Sequence, residues 1–104
     1  MTVKQFYTKN QFIITDEDKI TFQSYNSEIV TRDEDTKTIT IFENWDYSQT
    51  TLKYFYLFLQ EHIFFIWYEI KDKPNKKQAM QKFIEKYNNK QIKDSIYTLV
   101  YKQE

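Results

Sequence analysis

The stretch NWDYSQTTLKYFYLFL, residues 44–59, decides how this chain folds. It opens polar and turn-like and then becomes almost wholly aromatic and aliphatic, as a capped helix entering a core does. Ser48 suits an N-cap, its hydroxyl accepting from an orphan amide near Thr50 or Thr51, while Tyr47 and Leu52 occupy the two places of a hydrophobic staple. Beyond the cap, Leu52, Phe55, Tyr56, Leu59, Ile63, Ile66, Trp67 and Ile70 recur at steps of three and four, the spacing of one helix face. The run IFFIWYEI after His62 is rich in β-formers, so a strand competes there, but the stripe passes through it in phase. The pattern predicts one helix from Ser48 to about Lys71.

Tyr54, Leu57, Phe58, Phe64, Phe65 and Tyr68 fall outside the stripe, which makes this helix apolar almost all round. Such a helix is buried on several sides or carries a patch that another chain covers. Lys53, Gln60, Glu61, His62 and Glu69 interrupt the run before the roughly 20 apolar residues of a membrane span accumulate. No membrane association is expected.

Upstream, QFIIT (11–15), KITFQSY (19–25), SEIVTR (27–32) and TKTITIF (36–42) are rich in Ile, Val, Thr, Phe and Tyr and read as strands. Asp16-Glu17-Asp18 and the DEDTK run at 33–37 separate them, and Asp can close such turns without glycine. Ile39 and Ile41 alternate with Thr38, Thr40 and Phe42, as in an antiparallel sheet with one covered face. Downstream, after KDKPN, a second helix is predicted from Asn75 to Tyr87, with Ala79, Met80, Phe83, Ile84 and Tyr87 on one face and lysines on the other. The tail around Ile96–Tyr101 reads as a helical turn or a last strand. The expected fold is therefore α+β: an antiparallel sheet of three to four strands packed on a long aromatic helix and a second lysine-rich helix.

At 104 residues, 40% hydrophobic and 29% charged, the chain has the size and apolar content of one domain, 1–104. There is no glycine and no cysteine, one proline (Pro74) and one histidine (His62). Phosphate-cradling loops, dinucleotide fingerprints and nucleophile elbows need glycine. Disulfide frameworks, thiolate nucleophiles and cysteine metal sites need cysteine. A lone imidazole does not make the multi-histidine sites of most metals. The turns Asp16-Glu17-Asp18 and Asp33-Glu34-Asp35 could hold a hard cation or place an acid and a base, yet charge at turn tips is normally just solvated, and Ser48 has no base in sequence reach. The reading is of a non-enzyme without metal or cofactor.

Residues 1–50 hold five Lys/Arg against nine Asp/Glu, and residues 51–104 hold ten against six. The halves thus carry −4 and +4, either as two patches or cancelled where they pack. Eight lysines lie between Lys71 and Lys93, so Lys76, Lys77, Lys82 and Lys86 are candidates for phosphate contacts. Arg32 is the only arginine, which leaves bidentate recognition little support.

TVKQFYTKNQFII, FQSYNSEIV and above all WDYSQTTLKYFYLFL resemble the pattern of a family of small, functionally uncharacterised proteins carried by bacteriophages and other mobile elements of low-GC bacteria. The resemblance covers about residues 2–60, and the family's tyrosine-serine-x-threonine-threonine unit corresponds to Tyr47, Ser48, Thr50 and Thr51. After His62 the chain is more aromatic than that pattern. The resemblance implies a phage or mobile-element source and brings no activity with it; the absence of cysteine and of an apolar core of signal-peptide length in MTVKQFYTKNQF is what points to an intracellular life, in the cytoplasm of a bacterial host.

The expected function is stoichiometric binding to another protein, in its sharpest form inhibition of a host defence nuclease in the manner of an anti-CRISPR. Surplus aromatic surface and an acidic half that imitates nucleic-acid charge favour it. Tyr54, Phe58, Phe65 and Tyr68 with Asp33, Glu34 and Asp35 are the candidate contacts. A weak homodimer through the aromatic helix is expected when no partner is present. The alternative is a nucleic-acid-binding module on the lysine-rich helix.

Overall fold

The computed structural model describes residues 1–103. Its strands are β1 (Thr2–Phe6), β2 (Thr8–Asp16), β3 (Lys19–Ser24), β4 (Ser27–Asp33), β5 (Thr38–Phe42), β6 (Lys90–Gln91) and β7 (Thr98–Lys102). A 3-10 turn at Glu43–Asp46 leads into the helices α1 (Gln49–His62), α2 (Phe64–Ile70) and α3 (Lys76–Tyr87). The strands form one seven-stranded sheet in the order β1-β2-β3-β4-β5-β7-β6. All neighbours are antiparallel except β5 and β7, which run parallel from Thr38↔Thr98 to Phe42↔Lys102.

Two expectations are corrected. The sheet is mixed and seven-stranded rather than antiparallel with three to four strands, because β1 adds to one edge and β7 inserts between β5 and β6. The single long helix is two, divided at Ile63, whose φ −138° and ψ 59° leave the helical region. Arg32 fixes this break by donating from Nη1 to the carbonyl oxygen of His62, the last residue of α1. The competing strand over 62–70 does not form, since α2 occupies Phe64–Ile70.

Ser48 caps α1 as the sequence implies: its Oγ accepts from Thr51 N at 3.1 Å. Asn75 does the same for α3, accepting from Gln78 N at 3.0 Å. Each such cap stabilises its helix by about 1 kcal/mol. With no glycine in the chain, the left-handed turn positions fall to Tyr7, Asn10, Glu17, Tyr25, Lys37, Asn89 and Asp94, whose φ lies between 54° and 67°. Asn and Asp visit this region readily, whereas the bulkier side chains do so only where the surrounding structure holds them.

Cross-strand partners Phe22, Val30 and Ile41 share one face of the sheet, and Phe22 stacks on Phe58 of α1 with ring centroids 5.9 Å apart. The core lies between that face and the helices, joining Phe6, Phe22, Val30, Ile41, Phe55, Phe58, Leu59, Ile66, Met80 and Leu99, all buried. Each large side chain so removed from water contributes roughly 1.5–3 kcal/mol before entropy is charged. On the opposite face the register sets Ile14, Thr21, Thr31, Thr40 and Val100 in one row across five strands. Among the described residues no helix is long and apolar enough to cross a membrane.

Candidate functional site

The meander β2-β3-β4-β5 puts alternate turns at the same end of the sheet, so the two acidic runs of the sequence meet. Glu34 N donates to Asp18 O at 2.9 Å, bringing Asp16-Glu17-Asp18 against Asp33-Glu34-Asp35. Asp33 organises the second turn, its Oδ1 accepting from Asp35 N at 2.9 Å and Thr36 N at 3.2 Å. Among the described residues Asp16, Glu17, Asp18 and Asp35 enter no ion pair, although Lys19 stands opposite Asp16 and Asp33 in the register, so the end keeps an excess of carboxylates.

Glu34 joins the acidic end to the aromatic helices. Lys37 Nζ lies 3.2 Å from its Oε2, and the Tyr97 hydroxyl donates to its Oε1 at 2.5 Å. Arg32 Nε stands 2.6 Å from the same Oε1, an ion pair in which the N–H does not point along the line to the oxygen. The Tyr97 hydroxyl, with Lys37 and Arg32 behind it, holds the Glu34 carboxyl below its usual range against a smaller effect of burial. Burial and the bond to Glu34 push the Tyr97 phenol up. The Tyr97 ring in turn stacks on Phe65 of α2 at 5.4 Å, with the planes 12° apart.

From Phe65 the surface continues along α2. Phe64 is 54% exposed and Tyr68 64% exposed, and their rings sit 6.2 Å apart one helical turn from each other. Lys71 Nζ approaches the Tyr68 ring to 5.4 Å. The result is an aromatic ridge next to an acidic end, held together through Glu34, Tyr97 and Phe65.

The expected contact residues divide. Tyr68 is on the ridge, Phe65 is half-buried beneath Tyr97, and Asp33, Glu34 and Asp35 form the acidic turn. Tyr54 lies elsewhere, half-buried against Phe6 and stacked at 6.5 Å on Tyr7, whose hydroxyl donates to the Glu61 carboxylate. Phe58 is corrected: it is fully buried between Phe6, Phe22 and His62 and offers a partner nothing. It falls outside the stripe because a single stripe describes a helix covered on one side, whereas α1 is covered by the sheet and by α2. Sequence reasoning missed Tyr97, whose tail position gave no sign that it would stand between Glu34 and Phe65.

The lysine set divides too. Lys82 and Lys86 line a groove with Lys73, Lys76 borders a different one beside Tyr56 and Trp67, and Lys77 pairs with Asp46 at 3.7 Å. Burial holds the His62 imidazole below its ordinary pKa, with Glu61 pulling it up and Arg32 pressing it down. No cluster of three or more His, Cys, Asp or Glu among the described residues could hold a metal ion.

Residues 1–86 match the family described as Family of unknown function (DUF8033), and the chain belongs to it. The match runs from β1 almost to the end of α3 and so includes the acidic turns and the ridge of α2. No curated protein and no solved structure matches the chain.

Proposed function

We propose that the protein, a member of a family whose description names no function, acts by stoichiometric binding to another protein through the acidic end of its sheet and the adjoining ridge of α2. The observation that carries this reading is the junction at Glu34, where the two acidic turns and the Phe65-Tyr97 stack meet. A few exposed aromatic anchors dominate most protein interfaces, and a field of one sign steers and selects a partner of the other. The partner surface is therefore basic and carries pockets for Phe64 and Tyr68. Proteins that hold nucleic acid have such surfaces, so the narrowest form of the proposal is a phage- or mobile-element-encoded inhibitor of a host defence nuclease, working in the bacterial cytoplasm without catalysis of its own.

Tagged protein is mixed with a bacterial host lysate at physiological salt and the captured proteins identified, beside the double variant Phe64→Ser/Tyr68→Ser. The expected result is one basic protein, lost with the variant, that titrates one-to-one when purified. Recovery of no specific protein, or equal recovery by the variant, would sink the reading.

A further inference from the structure

We infer that the groove between α2 and α3 binds single-stranded nucleic acid, a second site apart from the acidic surface. The groove encloses about 440 Å³ and is bordered by Lys73, Lys82 and Lys86, with Phe83 and Tyr87 among its lining. None of these three lysines forms an ion pair among the described residues. Among the described residues Glu69 is the one acidic side chain on the rim, so the lysines there outnumber the carboxylates.

The chemistry of the groove favours a flexible strand over a rigid duplex. Lys82 and Lys86 are one turn apart on α3, about 6 Å along the axis, comparable to the separation of neighbouring phosphates on a stretched strand. Lys86 Nζ lies over the face of the Tyr87 ring, 5.3 Å from its centroid, and the half-buried Tyr87 packs on Phe83 at 4.8 Å, so the cation and the ring it covers form one unit on the groove wall. Phosphate neutralisation beside an aromatic platform is how single strands are held without sequence preference. Asn75 and Gln78 border the same groove at the amino end of α3, where the helix dipole favours anions. Lys76 and Lys77, on other faces, are not part of it.

The test is fluorescence anisotropy with labelled oligo-dT and oligo-rU and the full chain, between 50 and 200 mM salt. Three neutralised phosphates on a single strand give a slope of about −2 in log affinity against log salt, a weakening of about 20-fold over that range. Lys82→Glu/Lys86→Glu should weaken binding at least tenfold and flatten the slope by about 1.4 units. Tyr87→Leu, which keeps an apolar side chain over Phe83, should weaken it about fivefold or more. Lys9→Glu, on β2, is the charge control and should leave affinity near that of the parent. Circular dichroism of each variant confirms that it is folded. Absence of binding at 50 mM salt, or an equal loss with Lys9→Glu, would overturn the inference. Equal binding of poly-glutamate with no effect of Tyr87→Leu would also overturn it, marking the groove as a site for acidic peptides.

Discussion

Gln11 supplies the sharpest energetic prediction. Its side chain on β2 is fully buried, yet neither Oε1 nor Nε2 has a hydrogen-bond partner among the described residues. It sits opposite Ser24 in the β2-β3 register, and the Ser24 hydroxyl is turned to Thr51 Oγ1 at 2.9 Å, itself 3.1 Å from Ser48 Oγ. The neighbouring hydroxyls thus satisfy one another and leave the amide out. A buried polar group without a partner destabilises by about 1–3 kcal/mol, and replacing it with an apolar group of similar shape removes that penalty. Methionine follows the same unbranched path, and a near-isosteric core swap costs under about 1.5 kcal/mol. Gln11→Met should therefore stabilise the fold by about 1–2 kcal/mol, raising the melting temperature by roughly 4–15 °C for a chain of this size. Urea titration should show a higher midpoint at unchanged slope. Ser24→Ala, which breaks the contact with Thr51, should go the other way by about 1 kcal/mol. A Gln11→Met protein that is less stable than the parent by 1 kcal/mol or more, on the order of the penalty itself, would refute the argument, because the amide would then be contributing bonds that hold the sheet to α1.

Phe58→Ala should cost about 3–5 kcal/mol in urea unfolding, since the ring is fully buried between Phe6, Phe22 and His62. Ser48→Ala should cost about 1 kcal/mol and loosen the first turn of α1, read as faster amide exchange near Thr51. Stability should fall as pH drops below about 6.5: burial lowers the His62 pKa in the folded chain, so the unfolded chain takes up the proton first, and the loss continues until pH reaches the folded value. His62→Gln should flatten that part of the urea-midpoint profile. Light scattering at tens of micromolar should show weak self-association through Phe64 and Tyr68, abolished by Phe64→Ser/Tyr68→Ser; because the acidic ends of two copies repel, it should strengthen with salt.

The sequence made four of the seven strands legible, because β2 to β5 alternate or carry β-branched residues between acidic turns. β1 escaped notice for a physical reason: as an edge strand it leaves Thr2 to Gln5 exposed and carries no alternation. The parallel pairing of β7 joins residues sixty positions apart, which no local pattern encodes. The break at Ile63 has neither proline nor glycine to announce it; a guanidinium from another strand makes it. At the acidic end the residues were visible but not their meeting, although a meander of four strands brings alternate turns together by its topology alone. The aromatic surplus was half legible. Phe64 and Tyr68 are exposed, while the same reasoning applied to Phe58 failed because two layers cover α1.

The parallel contact between β5 and β7 also sets an order of events. Each hairpin from β1 to β5 closes over a short loop, so the meander forms from neighbours. Seating β7 beside β5 closes a loop that holds all three helices, and each doubling of loop length adds about 0.6 kcal/mol of entropy to be overcome. The meander with α1 laid across it is thus the natural nucleus, and Leu99 enters an interior already part-built. Until it does, β5 presents an unpaired edge next to Ile39 and Ile41, the kind of template on which a second unfolded chain can add. The vulnerable moment of this protein is therefore the interval before its helices bring β7 home.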